Sequence, residues 1–323
     1  MPDNDIKILS IGAAVQDVFM MGKALHARRD VRSKDYVEQF PLGAKIDVDD
    51  VKIETGGGAT NAAVTFARQG LRSEFVGKIG HDAAGTEVLR VLHKEGVKTE
   101  HVAYDAKLGT SYSTILLAPN GERTILNYRG ASHALNAKDY NISTFEADWM
   151  YITSLAGNFD LLGRLLKHAK AHNIKVLFNP GGAELAKVKK LRSALPHLEV
   201  IYGNTDELHE LFGGETSKEI MLRSFGVCPY VVMTDGQGGV FASDSDKIYY
   251  AGLYQKVKVA DRTGAGDAFG SGFVAALAQG YPLPDALTLG SANATSVVTK
   301  IGAKPGILKT PHVKRMKVNI LSI

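Results

Sequence analysis

The densest chemical signal in the chain is Asp261-Arg-Thr-Gly-Ala-Gly-Asp267, followed by Ala-Phe-Gly-Ser-Gly-Phe-Val-Ala-Ala. Small residues at a helix start let backbone N–H groups converge on an anion, and the helix dipole favours negative charge there. Asp267 falls in that first turn, as a carboxylate beside an anion site. It is either a carboxylate set beside a bound anion or a helix-capping aspartate. The density of Gly and Ala favours the anion site, because a cap needs only one residue.

Further polar and glycine-bearing groups stand at expected strand ends, where open α/β sheets bind ligands. They are Gly12-Ala-Ala-Val-Gln-Asp17, Gly56-Gly57-Gly58-Ala-Thr-Asn61, Asn204-Thr-Asp-Glu207 and Thr234-Asp-Gly236-Gln-Gly-Gly239. Three of them have a plainer reading. Asp17 could serve a turn, Asn204 and Glu207 could form a helix capping box, and Thr234–Gly239 could close a hairpin. Neither Gly-Lys pair, at Gly22 or Gly77, is followed by Ser or Thr, so the chain has no Walker A motif. Phe269 stands where a dinucleotide fingerprint beginning at Gly264 needs its third glycine. His-Arg-Asp and Asp-Phe-Gly are absent, which removes a protein-kinase signature.

These groups need a scaffold, and the composition supplies one. The chain has 323 residues, 45% hydrophobic and 22% charged, which fits a globular α/β unit rather than disorder or a coiled coil. Its single cysteine, Cys228, excludes a disulfide framework and multi-cysteine metal sites, and its apolar surroundings suit a buried, inert thiol. The net charge of +4 is small, and the basic groups at Lys187–Arg192 and Lys314–Lys317 lack interleaved aromatics. They read as solvated faces, so no nucleic-acid partner is expected. No apolar run approaches the ~20 residues of a membrane span, and the polar N-terminus does not resemble a signal peptide. A cytoplasmic protein is expected.

Strands are expected at 7–11, 74–79, 149–153, 174–178, 199–202 and 229–234, with helices at 59–69, 83–95, 158–172, 187–194 and 205–225 between them. A hairpin (239–242 and 247–251) precedes two last helices near 265–280 and 284–299. Strands alternating with helices indicate a largely parallel sheet covered on both faces. The segment 18–55 reads as irregular and too long for an ordinary connection. Together with β-rich runs at 111–118 and 122–128 around Pro119-Asn120-Gly121, it is expected to form a small β lid.

Gly264-Ala-Gly-Asp267 after Asp261-x-Thr263 resembles the signature of the ribokinase-like (PfkB) carbohydrate and nucleoside kinases. Gly56-Gly-Gly-Ala-Thr-Asn61-Ala-Ala63, then Gly70 and Gly80, is similar to the family's N-terminal signature. The resemblance runs from Gly12 to about Gly306; Arg262 departs from it, where the family usually has a small or β-branched residue. It implies a ribokinase-like three-layer α/β fold, with a mainly parallel central sheet and a small β-sheet lid, in one domain over 1–323.

The resemblance also implies roles. Asp267 would take the proton of the acceptor hydroxyl, and the N–H groups of Gly264, Ala265 and Gly266 would hold charge growing on the γ-phosphate. Asp17, Gly57, Gly58 and Asn61 would bind the acceptor. Asn204, Thr234, Gly236, Gly239 and Asn293 would face ATP, with Glu207 holding Mg²⁺ through water. Asp261, Thr263 and the Gly302 loop would bind K⁺. The expected activity is transfer of the γ-phosphate of ATP to a sugar. A nucleoside remains an alternative, with Phe19, Met20, Phe40 or Tyr112 as a base slot. So does a phosphosugar, with Arg28, Arg29, Arg32 or Arg123 as its anion site, and so does a non-catalytic sensor. A homodimer through the lid is expected.

Overall fold

Short apolar runs such as Trp149-Met-Tyr-Ile152 and Val231-Val-Met233 suit strands buried on both faces. In the computed structural model, which describes residues 5–30, 36–118, 123–244, 246–309 and 313–321, both lie inside a ten-stranded sheet. The strands are β1 (Lys7–Ile11), β2 (Val15–Met21), β3 (Arg28–Arg29), β4 (Tyr36–Val37), β5 (Asp50–Gly56), β6 (Arg72–Gly80), β7 (Lys98–Asp105) and β8 (Ser111–Leu117). They continue as β9 (Arg123–Tyr128), β10 (Trp149–Ile152), β11 (Lys175–Phe178), β12 (Val200–Asn204), β13 (Tyr230–Thr234), β14 (Val240–Ser243), β15 (Ile248–Ala251) and β16 (Val318–Leu321). The helices are α1 (Gly58–Arg68), α2 (Ala83–Lys94), α3 (Phe159–Ala171), α4 (Gly182–Leu185), α5 (Val188–Ala194), α6 (Thr205–Phe212), α7 (Ser217–Arg223), α8 (Ala265–Ala278) and α9 (Leu283–Val297).

The main sheet has the order β16-β15-β14-β13-β12-β11-β10-β1-β6-β7. From β13 to β7 every pairing is parallel, and β14 to β16 extend the sheet antiparallel. The chain builds outward from β1 through β6 and β7, then returns to the other flank at β10. That reversal leaves a crevice beyond the carboxyl ends of β1 and β10, the place where such sheets take ligands.

Alternation along each strand creates the layers. Leu9, Met150, Phe178 and Met233 pack under Leu165 of α3, Leu191 of α5, Leu208 of α6 and Ile220 of α7. Ile8, Tyr151, Leu177 and Val232 point the other way, against Phe66 of α1, Phe269 and Phe273 of α8 and Leu287 of α9. A third cluster joins Phe75 and Ile79 to Val88 and Leu92 of α2. Truncating a buried Phe such as Phe269 to Ala would cost about 3–5 kcal/mol, and would loosen the helix that carries Asp267.

A second sheet has the order β5-β2-β8-β9. β2 pairs antiparallel with β5 and parallel with β8, and β8 pairs antiparallel with β9. The 18–55 segment is therefore not irregular throughout: it contains most of β2 and β5, and the small β3–β4 ladder. The turn expected at Pro119-Asn120-Gly121 lies outside the described residues, as does Arg32. The single helix expected over 205–225 is two helices, because Gly213 (φ 72°) and Gly214 (φ 112°) take left-handed geometry that α-helix excludes. The strands β7 and β16 were not among the expected elements. β7 reads Lys-Thr-Glu-His-Val-Ala-Tyr-Asp and lacks an apolar run.

Candidate active site

α8 begins at the crevice. Its N-cap, Gly264, has φ 76°, and a Cβ there would run into Ala303 Cβ, so glycine is required twice over. Asp267 sits in the first turn but caps nothing. Its Oδ2 instead accepts a hydrogen bond from Asn61 Nδ2 at 2.8 Å. Among the described residues the N–H groups of Gly264 and Gly266 have no acceptor, while Ala265 N–H reaches Arg262 O at 3.3 Å. Tyr202 Oη donates to Gly266 O at 2.9 Å, which ties the helix start to β12. The outcome is a half-buried carboxylate beside free amides at the positive end of a 14-residue helix. Burial raises the Asp267 pKa, opposed by the Asn61 hydrogen bond and the charge of Lys304.

Lys304 carries no motif of its own, though it lies in the loop that contains Gly302. It is 4% exposed, and its Nζ donates to Thr55 O at 2.7 Å, Thr60 Oγ1 at 2.8 Å and Asn61 Oδ1 at 2.8 Å. Burial pushes its pKa down to about 7, against the pull of Asp17, Asp267 and Glu54. A sequence clue existed: a lysine flanked by Gly302-Ala303 and Pro305-Gly306 has no helical or strand face to present to solvent.

Asp17 enters from β2 of the second sheet and is buried, with Ser113 of the adjacent β8 bonded to its carboxylate. Burial raises its pKa, and Lys304 opposes the rise; Asp261 and Asp267 act on it as like charges. The backbone of Gly56-Gly57-Gly58 passes between these groups. A Cβ at Gly56 would strike Asp17 Oδ2, and one at Gly58 would sit 3.1 Å from Asp267 Oδ1. Asp17, Gly57, Gly58, Asn61 and Asp267 therefore come together across the crevice.

On the far side Asn204 and Thr234 are register partners at the carboxyl ends of β12 and β13. Asn204 Oδ1 accepts from Glu207 N–H at 2.9 Å and Glu207 Oε2 accepts from Asn204 N–H at 2.8 Å, so the capping box is formed. Glu207 Oε1 and Asn204 Nδ2 have no partner among the described residues, which leaves each side chain one group for a ligand. Burial raises the Glu207 pKa, and Asp206 and Asp267 add to the rise. Gly236 (φ 48°) and Gly239 (φ 91°) bracket the turn after β13.

Asn293 is a correction. It is 0% exposed, and its Nδ2 donates to Ala268 O at 2.8 Å while its Oδ1 accepts from Leu308 N–H at 2.9 Å. With its amide spent on joining α9 to α8 it cannot face an adenine. Asp261, 1% exposed, accepts from Thr263 N–H, Thr263 Oγ1 and Gly302 N–H at 2.8–3.0 Å. Asp261, Thr263 and Gly302 thus form one unit, and among the described residues N–H and O–H dipoles alone bond the carboxylate. Arg262 points into solvent. The Cys228 thiol is buried and pushed up to about 11, far from a nucleophile's range.

A helix N-terminus and a carboxylate at the switch point of a parallel α/β sheet suit phosphoryl transfer to a hydroxyl. The chain belongs to the pfkB family carbohydrate kinases, whose profile matches residues 20–310. It is similar to the ribokinase of Haemophilus influenzae, 27% identical over 84% of this chain and 92% of the relative. Among solved structures it superposes on a probable sugar kinase from Rhizobium etli with a TM-score of 0.79 at 20% identity, covering 94% of this chain and 96% of that one. The nucleoside kinase of Methanocaldococcus jannaschii gives 0.75 at 23% identity, with 94% of each chain covered. No helix among the described residues is long and apolar enough to cross a membrane.

Proposed function

We propose that this kinase transfers the γ-phosphate of ATP to a sugar hydroxyl, with Asp267 as the base. The observation that carries the proposal is the Asp267 carboxylate, which is not used as a cap, is oriented by Asn61 and lies next to unbonded amides of Gly264 and Gly266. In a loose phosphoryl-transfer transition state the proton leaves late, so the carboxylate chiefly orients the hydroxyl. The helix-start amides, with Ala265, receive charge growing on the phosphate. Asp17 binds acceptor hydroxyls, and Gly57 and Gly58 let the acceptor approach the backbone.

ATP lies along Asn204, Thr234, Gly236 and Gly239. Magnesium fits the donor set through water, since Glu207 keeps one carboxylate oxygen and Asn204 one amide group for it. When bound, the ion neutralises phosphate charge. Potassium fits the Asp261–Thr263–Gly302 unit, where no ion pair among the described residues offsets the buried carboxylate.

A sugar is favoured over a nucleoside by the ribokinase relative. The reading is supported by the register, in which Tyr112 lies on the face of β2–β8 opposite Asp17. That second sheet, read as a lid, would exclude water on closing. Its outer face shows Ile53 and Leu126, each 58% exposed, and is read as the seat of a second copy of the chain. The kinase reading is tested by following ADP release from MgATP across sugars, phosphosugars and nucleosides. Acceptor-dependent turnover greatest with a sugar supports it, and saturable binding without turnover by any acceptor overturns it in favour of a sensor.

A further inference from the structure

Lys304 takes no part in the machinery just described, yet its buried ammonium stands one residue from the proposed base. The three hydrogen-bonding protons of an ammonium group are all spent inside the protein, on Thr55 O, Thr60 Oγ1 and Asn61 Oδ1. It therefore has no proton left for a substrate. What it does have is a position at the junction of two elements: Thr55 belongs to β5 of the second sheet, and Thr60 and Asn61 lie in the first turn of α1. Thr60 Oγ1 passes its own proton to Gly56 O at 2.6 Å, so the hydroxyl can only accept from Lys304.

The amide of Asn61 is what makes this consequential. An ammonium group only donates and a carboxylate only accepts. An amide lying between them has one satisfactory orientation, carbonyl oxygen toward Lys304 and NH₂ toward Asp267. The distances are 2.8 Å on both sides. Among the described residues Lys304 is the only donor to Asn61 Oδ1, so without the ammonium the oxygen side of that orientation is unsupported.

We infer that Lys304 is a positioning residue for phosphoryl transfer: it fixes the orientation of Asn61, and through Asn61 it aims the Asp267 carboxylate at the acceptor hydroxyl. The inference rests on Asp267 being the base, but its structural half does not. Through Thr55 O the same ammonium ties the second sheet to this relay, so the base is aimed only while β5 is in place.

The test is a double-mutant cycle in the full-length enzyme, with kcat and KM measured for MgATP and for the best acceptor. Lys304→Met is expected to lower kcat about 100-fold while the KM for ATP stays within about 2-fold, the pattern of a contribution made at the transition state. In an Asn61→Ala background the same substitution is expected to cost less than about 3-fold more, because residues acting in series are not additive. A full further loss of about 100-fold in that background, or a Lys304→Met enzyme retaining kcat within about 3-fold of wild type, would overturn the inference. Lys304→Gln enters the same cycle if the Met variant does not fold. Side-chain amide exchange of Asn61, read by NMR on ¹⁵N-labelled protein, needs no activity. It is expected to speed up at least about 10-fold in the lysine variant, and unchanged exchange would count against the inference. Absence of turnover in the wild type would sink the kinase reading alone, and the exchange measurement would still decide the role of Lys304.

Discussion

Asn61 Nδ2 donates to Asp267 Oδ2 at 2.8 Å, joining the first turn of α1 to the first turn of α8 across 206 residues of sequence. Because a carboxylate that accepts a hydrogen bond is favoured in its charged form, this contact works against the burial that raises the Asp267 pKa. The base must be deprotonated to act, so its active fraction is lost as pH falls through that raised pKa. The acid limb of kcat is expected above the usual aspartate range, and Asn61→Ala is expected to move it further upward. A pH–rate profile of both enzymes checks this, and a limb that moves down in the variant would contradict it.

Asp17 is expected to govern acceptor binding rather than chemistry. Asp17→Ala removes a charged acceptor worth about 1.5–3 kcal/mol to a bound hydroxyl. The KM for the acceptor should rise roughly 10- to 100-fold, with the KM for ATP little changed. Equal effects on both substrates would show that Asp17 serves the second sheet's packing instead.

Gly264→Ala combines a left-handed φ of 76° with a collision at Ala303 Cβ. A non-glycine residue held there costs on the order of 1–3 kcal/mol, and the helix start must shift to accommodate it. Urea unfolding should show that loss, together with a fall in kcat, because the amides of Gly264 and Gly266 move with the helix start. A variant of unchanged stability would mean that Ala303 and its loop yield easily.

The exposed outer face of the second sheet is expected to bury itself against a second copy. Sedimentation velocity should find a dimer for the wild type. Ile53→Asp combined with Leu126→Asp should give a folded monomer, since each charge would otherwise be buried without a partner. A wild-type monomer at micromolar concentration would remove the dimer from the description.

The groups legible in the sequence are those whose chemistry is written in consecutive residues. The Gly264–Asp267 turn, the Gly56–Asn61 run and the apolar strands β10 to β13 carry their signal locally. Lys304 does not, because its three acceptors lie 243 to 249 residues away and only the fold brings them together. Asn293 misled for the converse reason: a polar residue near a ligand side was expected to face it, and helix rotation turned it into the core. β2 and β5 were obscured because their sheet leaves one face in water, so Val15–Met21 and Asp50–Gly56 mix charge with apolar residues. The break between α6 and α7 was visible as Gly213-Gly214, but the flanking helical periodicity hid it.

The most direct test is acceptor-dependent ADP formation by the wild type and by Asp267→Asn, assayed side by side with MgATP and the best sugar acceptor. General-base removal is expected to cut kcat by about 10²–10⁴-fold, with the KM for ATP nearly unchanged and the thermal midpoint close to wild type. Turnover by Asp267→Asn within a few-fold of wild type would contradict the assignment of Asp267 as the base.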